Sequence, residues 1–187
     1  ETQLLVTLHK LISFRDRNLQ TDLAILDFSK AFDTVPHDRL LGKLEYYGVT
    51  GDIHTWISAF LKNRSQCVLV EGIKSQSVHV DSGVPQGTVL GPLLFLLFIN
   101  DLPCNVSSRV SLFADDCILY RVIRTVEDQL AMQNDLNTLV EWGKTWGMHF
   151  NASKCNIMRV SRSTQPFSRY YTLDGHVLEQ VSNSKHL

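Results

Sequence analysis

Asp115-Asp116 stands between two strand-like runs, 109–114 and 117–122, with no room between them for a loop. The chain must reverse on itself there, as a tight β-hairpin with two carboxylates at its tip. A hairpin imposes antiparallel pairing, so an all-parallel sheet is excluded for this region. Helical and strand-like patterns alternate elsewhere. Residues 23–27 (LAILD) form a short apolar run ending in an acid, which predicts a buried strand. Pro36 suits the first turn of a helix running to Tyr47 and stopped by Gly48. Ile53, Trp56, Ile57, Phe60 and Leu61 repeat at helical spacing and predict one apolar face. Strands are expected at 66–71 and 77–80, joined by a turn at 72–74, then a Gly/Pro-rich loop at 82–92 and a buried helix over 93–102. A helix over 126–146 follows, then short strands near 148–150 and 156–160. Asp174-Gly175 predicts a last hairpin between 171–173 and 177–178. The class expected is α+β, a small antiparallel sheet with helices packed on one face.

The 187 residues, 44% of them hydrophobic and 20% charged, suit one globular domain rather than a disordered chain. The longest apolar run, 93–99, is far short of the about 20 residues a membrane helix needs, so no membrane contact is expected. Residue 1 is Glu and no signal-peptide pattern opens the chain, so a fragment of a longer polypeptide is expected. The net charge of −1 excludes a globally basic nucleic-acid binder, but the distribution is uneven. Five aspartates fall between 16 and 38, whereas 144–173 holds Lys144, Lys154, Arg159, Arg162 and Arg169 and no acid. Four widely spaced cysteines, without a CxxC, argue against a zinc site or a disulfide framework and for a reducing, intracellular setting.

Three stretches carry the chemistry: LDFSKAFD with Asp27 at a strand end, the loop SGVPQGTVLGP, and the hairpin tip FADD. Alone, each is ordinary; an Asp-Asp tip is most often turn chemistry. Together they bring carboxylates into one small sheet. Two like charges ~4 Å apart repel by about 4 kcal/mol at an effective dielectric of 20. A divalent cation is the simplest compensation. Oxygen donors without a His/Cys cluster favour Mg²⁺, with Mn²⁺ as the alternative. Two such ions about 3.5–4 Å apart clamp in-line phosphoryl transfer, which makes nucleotidyl transfer the expected reaction.

LDFSKAFDTVPH, SGVPQGTVLGPLLF and LFADD, in this order and spacing, resemble the palm of reverse transcriptases, most closely those of non-LTR (LINE-type) retrotransposons. WGMHFNASKCNIM resembles the family's next block, and YTLDGHVLEQVSNSKHL the hairpin leading into the thumb. The resemblance implies an RNA-directed DNA polymerase with an RNA template, a DNA primer, dNTPs and two Mg²⁺ ions. By motif position it implies Asp27, Asp115 and Asp116 as catalytic metal ligands, with the Phe28 carbonyl as a further ligand. Phe32 matches the bulky residue that stacks under the deoxyribose and excludes a 2′-OH. Gln86 and Gly87 match a loop against nucleotide and template, and Lys154 a lysine near the leaving pyrophosphate.

The division implied is 1–22 as a remnant of fingers or linker, 23–165 as palm, and 166–187 as the start of the palm-to-thumb hairpin. Fingers and thumb are then largely missing, as are any endonuclease regions. Nucleus and cytoplasm are the expected compartments. The alternatives are a non-catalytic relic of a truncated retroelement, or a reverse transcriptase of group II intron or retron type.

Overall fold

The computed structural model describes residues 2–183. In chain order, α1 spans Thr2–Asp16, β1 Gln20–Asp27, α2 Ala31–Thr34, α3 His37–Tyr46 and α4 Gly51–Leu61. Four short strands follow: β2 Ser65–Gln66, β3 Leu69–Val70, β4 Ile73–Lys74 and β5 Val78–His79. Then come α5 Leu90–Ile99, a 3₁₀ turn Leu102–Asn105, β6 Arg109–Phe113, β7 Asp116–Ile123 and α6 Val126–Trp146. The chain closes with β8 Asn156–Val160, β9 Thr172–Leu173, β10 His176–Val177 and β11 Glu179–Val181. The chain forms two compact units, one running through Ser29 and resuming at Asp101, the other Lys30–Asn100.

The first unit is built on a five-stranded sheet in the order β11-β8-β1-β7-β6. Its strands pair antiparallel except that β11 runs parallel to β8, so the sheet is mixed rather than antiparallel throughout. β1 is central, pairing Leu23 with Tyr120 on one side and with Met158 on the other. Seven of its eight residues are buried without alternation, so both faces must be covered. The expectation of helices on one face is therefore corrected. Leu11 and Phe14 of α1 pack on the face bearing Leu23, Ile118 and Tyr120. Trp142 of α6 meets Phe28, which points to the opposite face, at 6.4 Å between ring centroids. α6 opens on a capping box, Thr125 with Asp128, and ends at Gly147 with φ 75°. The Asp174-Gly175 hairpin is present, both turn residues having positive φ. Of the strand expected near 148–150, only a bridge between Phe28 and Phe150 forms.

The same unit holds a buried polar cluster for which no local signal existed. Asp22, fully buried on β1, accepts hydrogen bonds from Gln20 Nε2 at 2.9 Å, Arg159 Nε at 3.1 Å and Tyr171 Oη at 2.8 Å. Burial, followed by the neighbouring Asp22 carboxylate, pushes the Tyr171 hydroxyl well above the ordinary tyrosine range, so it stays a donor. Gln20 also exchanges hydrogen bonds with the backbone of Phe167, tying 167–171 to the start of the central strand.

In the second unit, α3 and α4 form where expected, but the apolar face of α4 is only half covered. Ile57 and Leu61 are buried, while Ile53 and Trp56 are more than half exposed. The predicted 66–80 hairpin forms as two separate two-residue ladders, β2 with β5 and β3 with β4, turning at Glu71-Gly72. The positive φ of both residues there moves the turn ahead of the expected 72–74. α5 begins three residues earlier than expected, with Gly91 and Pro92 in its first turn, where proline's missing N–H costs nothing.

Gly83 combines a positive φ with a close backbone approach. Its φ is +87°, and a Cβ there would meet the Asp33 backbone at 2.8 Å. Gly83→Ala is expected to lower stability by about 1–3 kcal/mol, read as a lower urea midpoint at unchanged slope. An unchanged midpoint would show that this loop relaxes freely.

Candidate active site

β1 and β7 run side by side to a common end, where Asp27 pairs directly with Asp116. Residues directly opposite in an antiparallel ladder share a face, with Cβ atoms about 4.5–5.5 Å apart. Two carboxylates are thus presented together. Phe113 pairs with Asp116 to close the hairpin, leaving Ala114 and Asp115 as the two-residue turn. Ala114 has φ 51°, where glycine is preferred at the first position of such a turn. Asp115 therefore stands on the turn, beyond the ladder, and Asp116 is the acid the strand register sets against Asp27.

The backbone around Asp27 is held on the β8 side. Its carbonyl accepts from Asn151 N at 2.7 Å, and Ser29 N donates to His149 O at 2.7 Å. Carbonyls alternate between the edges of an extended chain, so the Phe28 carbonyl faces the β7 side. The Phe28 ring stacks on Phe150 at 4.4 Å and sits in the core on the other face. Cys155 approaches from the same loop, its sulfur 3.3 Å from Asp27 N. Burial pushes the Cys155 thiol up to about 11 and the Cys117 thiol up to about 12, so neither is a thiolate at neutral pH.

Lys154 Nζ lies 3.4 Å from Asp27 Oδ2, and that buried oxygen has no hydrogen-bond partner. A buried carboxylate oxygen without a hydrogen bond has a lone pair to offer a cation. Among the described residues, no three His, Cys, Asp or Glu side chains gather closely enough to enclose a metal ion. The donors that do converge, Asp27, Asp116 and the Phe28 carbonyl edge, are hard oxygens and fit Mg²⁺ or Mn²⁺ in kind. Asp115 would have to reach in from its turn.

The other expected residues belong to the second unit. Phe32 packs its ring against buried Phe95 at 4.5 Å. Gln86 Nε2 donates to Asp33 Oδ1 at 2.9 Å, an acid assigned no role from the sequence. Gly87, with φ +77°, has open space where a Cβ would stand, whereas Gly83 makes the close backbone approach. The basic stretch is largely spoken for. Arg159 binds Asp22, Arg162 pairs with Asp16 at 3.1 Å, and Lys144 with Glu141 at 2.8 Å.

A family model described as "Reverse transcriptase (RNA-dependent DNA polymerase)" matches residues 5–179. The chain is 32% identical over 198 aligned residues to a probable RNA-directed DNA polymerase from transposon BS of Drosophila melanogaster, covering 97% of this chain and 21% of that one. It is 28% identical over 193 residues to the RNA-directed DNA polymerase from mobile element jockey of Drosophila funebris, covering 96% and 21%. The chain thus spans about a fifth of the length of these relatives. Among solved structures, telomerase from Candida albicans, in complex with a fragment of telomeric RNA, superposes with a TM-score of 0.60. That likeness has 14% identity and covers 96% of this chain and 34% of that one. It is one of fold.

Proposed function

The chain belongs to the reverse transcriptase (RNA-dependent DNA polymerase) family, and from that premise we propose that it is the palm of a retrotransposon RNA-directed DNA polymerase. The activity proposed is addition of dNTPs to a DNA primer copied from an RNA template. The observation that carries this reading is the register that sets Asp27 against Asp116, with Asp27 Oδ2 buried and unbonded. Asp27, Asp115, Asp116 and the Phe28 carbonyl are proposed to hold two divalent cations. Bound there, the cations would supply charge stabilisation for the attacking and leaving oxygens. The chain's own part is positioning. β1 and β7 hold the acids at a shared sheet end, and the 149–151 backbone braces Asp27 from the far side. Lys154 is proposed to offer its ammonium to the departing pyrophosphate. Gln86 and Gly87 are proposed to face nucleotide and template, through the positions they hold in the motif. The divisions 1–22, 23–165 and 166–187, and a nuclear and cytoplasmic location, belong to the same proposal. No helix among the described residues is long and apolar enough to cross a membrane.

The test is primer extension on an RNA template by a chimaera in which this chain replaces the matching segment of the jockey polymerase. Extension dependent on Mg²⁺ and on Asp27 supports the reading. A folded chimaera that cannot extend, beside an active parent, overturns it.

Sugar selection gives a further expected result. Phe32→Val in that chimaera should raise ribonucleotide incorporation relative to deoxyribonucleotide, because the ring would fill the space a 2′-OH needs. Unchanged discrimination would leave Phe32 as a packing partner of Phe95 alone.

A further inference from the structure

Lys154 reaches Asp27 from a loop that is clamped onto Asp27 itself. Asn151 N donates to Asp27 O at 2.7 Å, and Asp27 N donates to Cys155 Sγ at 3.3 Å, so the loop grips both backbone polar groups of residue 27. Between these grips the loop is a closed turn, Lys154 N and Cys155 N both bonding to Asn151 O at 2.9 and 3.2 Å. Asn156 Nδ2 donates to Lys154 O at 3.0 Å and secures the far end. The lysine stem therefore starts from a determined point, and its ammonium is set against Asp27 Oδ2 at 3.4 Å. That atom is the one polar oxygen of the site that is buried without a hydrogen bond.

We infer that the Lys154 ammonium is a placeholder for the divalent cation on Asp27, so that ammonium and cation occupy the carboxylate in turn. The inference rests on the proposed metal role of Asp27 and adds a competition to it. Without the cation, Asp27 and Asp116 face each other as like charges, and the ammonium offsets part of their repulsion. A cation arriving at Asp27 displaces the ammonium, which is then free for an anionic group nearby. Cation entry and release of the lysine become one event.

The experiment uses the 187-residue chain and Mn²⁺ as probe, with binding read by titration calorimetry. Lys154→Met should bind Mn²⁺ about two- to fivefold more tightly than the parent, the range expected when a half-exposed ion-pair competitor is removed. Lys154→Arg keeps the charge and should remain close to the parent. Lys144→Met, which removes a cation paired with Glu141, should leave the affinity unchanged. A second readout is amine acylation followed by mass spectrometry. Saturating Mn²⁺ should raise the labelling rate at Lys154 and not at Lys144. Equal Mn²⁺ affinity of Lys154→Met and parent, with Asp27→Asn abolishing binding, overturns the placeholder and leaves the metal reading standing. Absence of Mn²⁺ binding in parent and Lys154→Met alike overturns both. Tighter binding in Lys144→Met to the same degree shows a general charge effect and also overturns the placeholder.

Discussion

Asp27→Asn is expected to abolish Mg²⁺-dependent DNA synthesis on an RNA template, by roughly a thousandfold or more in rate, about 4 kcal/mol of barrier. Asparagine keeps the shape of the side chain and removes the charge that would hold a cation. The chemistry proposed is positioning plus electrostatic stabilisation, so a missing ligand cannot be replaced by another group in the site. The fold should survive. The substitution removes one like-charge contact with Asp116 and one half-exposed ion pair with Lys154, and the melting temperature should move little. The measurement is primer extension by the jockey chimaera at matched concentration, beside a thermal melt. Extension at the parent rate would end the assignment of Asp27. Asp115→Asn should be as severe, and Asp116→Asn less so, if the turn acid is the ligand shared by both cations. The reverse order would mean that the register seen here, Asp116 against Asp27, is the working one.

Asp22→Ala is expected to cost about 3–5 kcal/mol of stability. The reason is what stays behind. The Arg159 side chain is 8% exposed, and without Asp22 its guanidinium keeps, among the described residues, Gln180 and a long contact to the Arg169 carbonyl. Tyr171 Oη and Gln20 Nε2 lose an acceptor in the same step. Tyr171→Phe removes one donor and should cost about 1–3 kcal/mol. The double variant Asp22→Ala/Arg159→Met should recover part of the loss, because no uncompensated charge is then buried. Urea unfolding of the four proteins checks this. A loss under about 1 kcal/mol for Asp22→Ala would show that water reaches the cluster.

Much of the architecture was legible locally. The helix expected over about 126–146 forms as Val126–Trp146, and Thr125 caps it and Gly147 ends it. The Asp174-Gly175 turn announced its hairpin for the same reason. Trp56 shows where such reading stops. Helical spacing placed it on an apolar face, yet Trp56 stays 58% exposed, its ring stacked on half-buried Phe60. The pattern reports that a residue is apolar; whether a neighbour arrives to cover it depends on the rest of the chain. Gly83 and Gly87 likewise read alike in SGVPQG, and only the close approach of Asp33 separates them.

The amino-acid sequence by itself determined the α+β class, the hairpin that carries Asp115 and Asp116, the motif order and with it the family. Those rest on turn chemistry, caps and periodicity, which act over a few residues. Tertiary structure alone decided the parallel edge strand β11, the cover on both sheet faces, and the pairing of Asp27 with Asp116 across 89 positions. It also decided that Arg159, one of the cations of the acid-free stretch 144–173, is bound 137 positions away to Asp22. A buried carboxylate must find its compensating donors wherever the sheet brings them. Strand register, set by packing of both faces at once, is what brings them there.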